Sequence, residues 1–273
     1  MRRTLRCRAT LAAGAALFLA ATALTATTAA PAAAAGPVRV MQFNICGAAC
    51  NHGTVDKGGG GNDIVDDVSG RIAGFKPAVV TLNEVCSAQF GRLRSLLGGG
   101  PWKMTGAFRA QRSEGRCQGD PGFGDAIFIA GGISGQTVLP LPNPAGPEHR
   151  SILCLRTAVG GGPVLACVLH TVTGDPMKAR QVAAAAKAVN GKAARGAVIL
   201  GGDFNTVPGG MGALLDTGRG GRFFDIDPQK APTRGDKIDY VLFDRGHFTG
   251  PSGGPQGSPF SDHKALLGQA TRS

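Results

Sequence analysis

"VILGGDFNTVPG" spans Val198 to Gly209. An apolar run ends in two glycines and is followed at once by Asp203 and, after one phenylalanine, by Asn205. Side chains alternate across a strand, so Asp203 and Asn205 project to the same side. A strand dry enough to read Ala-Val-Ile-Leu gains nothing from a carboxylate and an amide at its end. Two neighbouring polar oxygens there suit a hard cation or a phosphate. The stretch therefore predicts a core strand whose C-terminal end is a chemical site.

Other apolar runs break in the same way. Asn44 closes "VRVMQFN", Glu84 closes "PAVVTLNE" and His170 closes "VLACVLH". Asp239 interrupts "KIDYVLF", and Asp262 and His263 precede the last strand in "SDHKALL". One strand-end acid is an ordinary turn residue. A set of Asn, Glu, His and Asp at the ends of many strands is different, because strands that share sheets bring their ends to one face, where function gathers. The residue types are chemically coherent. Carboxylates hold magnesium or manganese, an Asn amide can donate to a phosphate oxygen, and histidines move protons near neutral pH when a carboxylate fixes their tautomer. No cysteine or serine nucleophile is needed. The set suits attack by water on a phosphate ester.

The elements around these ends are legible from periodicity. "VRVMQFNI", "PAVVTLNEV", "GDAIFIA", "GAVILGGD", "KIDYVLF" and "HKALLGQA" read as strands. Apolar residues at 64, 65, 68, 72 and 75 predict a helix, with Asn62 as its cap. "AQFGRLRSLL" predicts a short amphipathic helix, and "DPMKARQVAAAAKAVNGKA" an Ala-rich one that stops near Asn190-Gly191. "KGGGGND", "LLGGGP" and "PSGGPQGSP" read as loops. Helices and strands alternate early and strands dominate late, which suits two sheets packed face to face with helices outside.

The first 35 residues stand apart. A basic start, an apolar small-residue run and an A-x-A site before Gly36 read as a secretory signal peptide. The domain then spans 36–273, exported to the extracellular space. The whole chain carries a formal charge of +11; without the four arginines of the leader, 25 basic side chains face 18 acidic ones, a net of +7. Such a surface favours polyanions. Six cysteines remain after Cys7, an even number that reads as disulfides in an exported chain. "SILCLRTAV" and "PVLACVLHT" flank "GGG" like a hairpin, and a turn centred between Gly160 and Gly161 sets Cys154 opposite Cys167. Cys46–Cys50 and Cys86–Cys117 then follow by proximity. A zinc site is the weaker reading, since no C-x-x-C pair is present.

The ordered set "N-I", "N-E-V", "G-D-A-I", "L-H-T", "G-G-D-F-N", "I-D-Y-V-L", "S-D-H" resembles the endonuclease/exonuclease/phosphatase superfamily, the fold of pancreatic DNase I, from about Val38 to Gly268. The resemblance implies an α/β fold: a four-layered α/β sandwich of two packed mixed β-sheets flanked by helices, with the site at one edge of the paired sheets. It implies Glu84 as principal metal ligand with Asn44. Asp203, Asn205 and Asp262 would bind the attacking water, the phosphate or a second ion. His263 oriented by Asp239 and His170 oriented by Asp125 would form the proton-transfer pair, each carboxylate raising the pKa of its histidine. Each such pairing requires its two strands to be neighbours in one sheet. Arg150 matches a phosphate-binding arginine. The implied cofactor is Mg2+ or Mn2+, with Ca2+ as a structural option. The chain departs from the pattern at Asn83, where the family often has Gln. It departs again at Cys46 and Cys86, where pancreatic DNase I grips DNA with arginines.

The expected activity is that of a secreted, divalent-metal-dependent phosphodiesterase acting as a nuclease, a monomer without integral membrane association. The alternatives on the same scaffold are a phospholipid or sphingomyelin phosphodiesterase and a phosphomonoesterase. Trp102 and Tyr240 are the sole residues of their kinds, so no membrane-inserting aromatic hairpin is visible. The non-enzyme alternative is a secreted polyanion-binding module.

Overall fold

The computed structural model describes residues 36–51, 63–112, 116–117, 122–143, 147–215, 221–227 and 236–273. The expected leader at 1–35, the Asn62 cap and most of the first Gly-rich loop lie outside the described residues.

Among the described residues, two six-stranded sheets form. The first contains β1 (Val38–Asn44), β2 (Val79–Cys86), β3 (Met104–Arg112), β4 (Phe123–Ala130) and two later strands, β11 (Phe248–Gln256) and β12 (Ala265–Arg272). Its order is β11-β12-β1-β2-β4-β3. The second contains β5 (Gly135–Pro140), β6 (Ser151–Val159), β7 (Gly162–His170), β8 (Ala197–Asp203), β9 (Phe223–Asp225) and β10 (Asp239–Asp244) in the order β5-β6-β7-β8-β10-β9. Helices α1 (Ile64–Phe75) and α2 (Ser87–Gly98) cover the outer face of the first sheet, and α3 (Met177–Ala193) that of the second. This is the expected four-layered sandwich of mixed sheets.

Alternation along each strand explains both the layers and the site. In β1, Val38 and Val40 join the core between the sheets, whereas Met41 and Phe43 pack under α1 and α2. In β8, Ile199 points inward while Val198 and Leu200 meet Val182, Ala185 and Val189 of α3. Burying each such valine contributes about 1.5–3 kcal/mol. Every second residue therefore belongs to the inter-sheet layer. Towards one end of the strands that layer turns polar: Gln42 and Asn44 follow Val40, Thr81 and Asn83 follow Val79, and Asp203 follows Ile199 by way of Gly201. The two glycines of "VILGGD" are required by closeness. A Cβ at Gly201 would collide with Thr81 Oγ1 of the facing sheet, and one at Gly202 with the Leu169 carbonyl of the neighbouring strand.

Several expectations shift. The cap of α1 within the described residues is Asp63, whose side chain accepts from the Asp66 N–H at 2.9 Å. The helix ends at Lys76, in the left-handed region just before Pro77. Helix α3 runs through Asn190-Gly191 to Ala193, because Val189 and Ala193 stay buried against the second sheet. "PSGGPQGSP" is not simply a loop: its first six residues belong to β11, an edge strand where prolines lose no partner. Strands β3, β5 and β9 carry no clear alternation and escape the sequence reading.

The hairpin of β6 and β7 has the expected register, Cys154 opposite Cys167, with Gly160 and Gly161 both at positive φ in a two-residue turn. Disulfides join Cys154–Cys167, Cys46–Cys50 and Cys86–Cys117. No helix of the described residues is long and apolar enough to cross a membrane.

Candidate active site

The polar ends of the strands open into a cleft of about 680 Å³. Glu84, Arg150, His170, Asp203, Asn205, Asp262 and His263 line it, seven of the ten predicted residues, while Asn44, Asp125 and Asp239 are buried and do not. Glu84 reaches the cleft through an irregularity. The pairing of β2 with β4 shifts register between Leu82 and Val85, and Glu84 sits in the left-handed region at φ 57°. A bulge re-aims a side chain that regular pleating would place elsewhere, and strain of this kind concentrates at functional sites.

Asp203 is the hub. Its Oδ2 accepts from Asn44 Nδ2 at 3.0 Å and lies 3.5 Å from His170 Nε2 and 3.8 Å from His263 Nε2. Its Oδ1 accepts from the Asn205 N–H at 2.8 Å. The residue between them, Phe204, turns the other way and packs edge-on against Tyr240 with ring centroids 5.4 Å apart, which fixes the turn. Asn205 spends one amide hydrogen on the Thr171 carbonyl at 2.9 Å and keeps the other. His263 donates from Nδ1 to Asp239 Oδ2 at 2.7 Å. Arg150 is buried, ion-pairs with Glu148 and reaches the His170 carbonyl at 3.5 Å; its Nε has no partner.

One pairing differs from expectation, and two residues have partners beyond those expected. Asn44 donates to both Glu84 Oε1, at 3.2 Å, and Asp203, while its Oδ1 accepts from the Cys46 N–H at 3.0 Å. That backbone donor fixes which amide atom is which, so Asn44 braces two carboxylates with its amide hydrogens while its Oδ1 keeps a second lone pair beside Glu84. Asp203 is shared among Asn44, the two histidines and Asn205, and with Asp239 and His263 it forms a group whose potential ligand atoms lie within 4.8 Å of one another. Asp125 does not orient His170: it is buried and accepts from Asn83 Nδ2 at 2.8 Å and from Gln111 Nε2. His170 has Asp203 instead. The strands are also arranged otherwise, since Asp239 and His263 meet across the two sheets, not within one.

Electrostatics separate the two histidines. Burial, helped by the charge of Arg150, holds His170 well below its usual pKa, so it is neutral. Burial also works against a charged His263, but the Asp239 hydrogen bond and charge, with Asp203 and Asp262, outweigh it and raise His263 to about 9. The expectation that each carboxylate raises its histidine holds for His263 and fails for His170. Burial raises Asp125 to about 7, and burial together with Asp239 raises Asp203. Glu84 is raised too, first by burial and further by Asp262.

The donor set fits a divalent cation. Glu84 and Asp262 are carboxylates on the cleft wall whose mutual repulsion a hard cation would relieve. Cys46 and Cys50 lie beside Asp262 but are joined to each other, so they supply no thiolate. Glu148 and Arg116, which also line the cleft, went unread in the sequence. Glu148 stands two residues before Arg150 in a loop, and no pattern marks either position.

Residues 41–263 match the protein-family description "Endonuclease/Exonuclease/phosphatase family". No curated protein matches the chain in sequence. Solved structures do match. One is an endonuclease/exonuclease/phosphatase from Beutenbergia cavernae DSM 12333, at 22% identity and TM-score 0.67, covering 87% of this chain and 72% of that one. The human Nocturnin catalytic domain with bound sulfate matches at 16% identity and TM-score 0.68, over 87% of this chain and 94% of that one. TDP2 from D. rerio complexed with single-strand DNA product matches at 12% identity and TM-score 0.62, over 86% and 99%. At these identities the likeness is one of fold.

Proposed function

Because the chain belongs to the endonuclease/exonuclease/phosphatase family, and so to the divalent-metal-dependent phosphoric ester hydrolases, we propose that it is an exported, magnesium-dependent nuclease. The observation that carries this reading is the convergence of Glu84, Arg150, His170, Asp203, Asn205 and His263 on one cleft. The mature net charge of +7 supports a polyanionic substrate, and TDP2 from D. rerio, of the same fold, was determined with a single-strand DNA product. Export, with the leader as residues 1–35 and the catalytic domain as 36–273, is supported by the composition of the leader and by three disulfides.

Glu84 and Asp262 would hold the cation, magnesium or manganese, which as a Lewis acid polarises a phosphoryl oxygen. The protein groups then divide the remaining work. Asp203, braced by Asn44, orients the attacking water and takes its proton. Neutral His170 and the free Asn205 amide hydrogen bond phosphate oxygens. Charged His263, held by Asp239, supplies the counter-charge for the developing negative charge. Arg150 adds a fixed positive charge to the lining of the cleft.

Activity on linear DNA should be measured against ionic strength. Phosphate-backbone binding weakens steeply with salt. A steep rise in KM between about 50 and 200 mM salt is expected. Turnover indifferent to salt would favour a small or lipid phosphoester and remove the nucleic-acid reading.

A further inference from the structure

The positions that carry DNA-gripping arginines in pancreatic DNase I are Cys46 and Cys86 in this chain. The disulfide from Cys86 runs to Cys117, and the residue before Cys117 is Arg116. This covalent tie holds Arg116 on the wall of the catalytic cleft. Its guanidinium stands over the Phe123 ring at 5.6 Å and pairs with Glu148 Oε1 at 3.2 Å. The side chain remains 48% exposed.

Glu148 is shared. It also pairs with the buried Arg150, so one carboxylate lies between two guanidinium groups and the trio keeps a positive charge. The positive charge of Arg116 is also felt at His170, at the centre of the site. An ion pair as exposed as Arg116–Glu148 contributes little by itself, about 0–1 kcal/mol. A phosphate can therefore take the place of Glu148 on the outer guanidinium at small cost, and a planar fork suits phosphate bidentately.

Resting on the nuclease reading, we propose that Arg116 forms a second phosphate subsite at the lip of the cleft, which binds the phosphate next to the scissile one on a nucleic acid strand. Arg150 then serves the reacting phosphate and Arg116 its neighbour. The subsite selects polymers of phosphodiesters over esters that carry a single phosphate.

The test compares wild type, Arg116→Ala and Arg116→Lys on a single-stranded oligonucleotide and on a dinucleoside monophosphate, which has no neighbouring phosphate. Circular dichroism and mapping of Cys86–Cys117 check that each variant is folded. On the oligonucleotide, Arg116→Ala should raise KM at least 10-fold with kcat within about threefold. Its slope of log KM against log salt should fall by about 0.7, the value of one phosphate contact on a single strand. On the dinucleoside monophosphate kcat/KM should fall no more than about threefold. Arg116→Lys should recover part of the oligonucleotide loss and most of the salt slope. Equal losses on both substrates, or an unchanged salt slope, overturn the subsite. A wild-type protein that cleaves neither substrate overturns the nuclease reading instead.

Discussion

Asn83→Ala should be strongly destabilising, although Asn83 itself is proposed to contact neither cation nor substrate. The Asn83 side chain is fully used. Its Oδ1 accepts from Gln42 Nε2 at 2.7 Å and from the Asp203 N–H at 2.9 Å. Its Nδ2 donates to Asp125 Oδ1 at 2.8 Å and to the Leu169 carbonyl at 3.0 Å. These partners belong to β1, β8, β4 and β7, two strands from each sheet, so one amide ties the sheets together beneath the site. Truncation leaves four buried polar groups short of a partner, each worth about 1–3 kcal/mol unsatisfied. Water entering the vacated space recovers part of this. The expected loss is about 3–5 kcal/mol, or a melting temperature lower by roughly 10 °C for a chain of this size. Urea unfolding followed by circular dichroism reads it. A loss below about 1 kcal/mol would refute the claim that this amide holds the sheets in register.

In chelator, NMR titration should place His263 near 9 and leave His170 neutral throughout the neutral range. Asp239→Asn should lower His263, because its largest raising partner is lost while burial still opposes the charge and only Asp203 and Asp262 still favour it; with the folded value raised, the stability His263 contributes is full below about 6.5 and fades as pH rises through about 9. His170→Ala and His263→Ala should each lower kcat about 10²–10⁴-fold, with the double variant losing less than the product, since both flank Asp203. Either single variant with near-normal turnover in saturating magnesium removes that histidine from the chemistry. Replacing Cys154 and Cys167 by alanine should cost about 2–5 kcal/mol in thermal or urea unfolding, and peptide mapping of the oxidised protein should find them joined.

The sequence showed the site well because alternation is a strict rule. Once Val40, Val79 and Ile199 are assigned inward, Asn44, Asn83 and Asp203 must follow them, and the convergence of strand ends needs only that the sheets face each other. The partnerships were harder to read. Pairing of Asp239 with His263 crosses between sheets, and the choice of Asp203 over Asp125 for His170 depends on the register of β7 beside β8, where His170 stands opposite Asp203. The bulge at Glu84 breaks alternation at one residue and leaves no compositional mark. Edge strand β11 was hidden by its own prolines and glycines, which an edge tolerates and a sequence pattern reads as loop. The Cys86–Cys117 tie follows from proximity, but nothing in the sequence says that it sets the neighbouring Arg116 on the wall of the cleft.

The central claim is that Glu84 anchors a divalent cation in a site that cleaves nucleic acid. The measurement is turnover by wild type and Glu84→Gln of DNA, RNA, sphingomyelin and a phosphomonoester, with magnesium and with chelator. Wild type should cut nucleic acid in magnesium and stop in chelator. Glu84→Gln should lose most of that activity while melting no lower than wild type, since a neutral amide relieves a carboxylate that burial already disfavours. Near-normal turnover by Glu84→Gln at low magnesium, or cleavage of sphingomyelin or the phosphomonoester with none of nucleic acid, would contradict it.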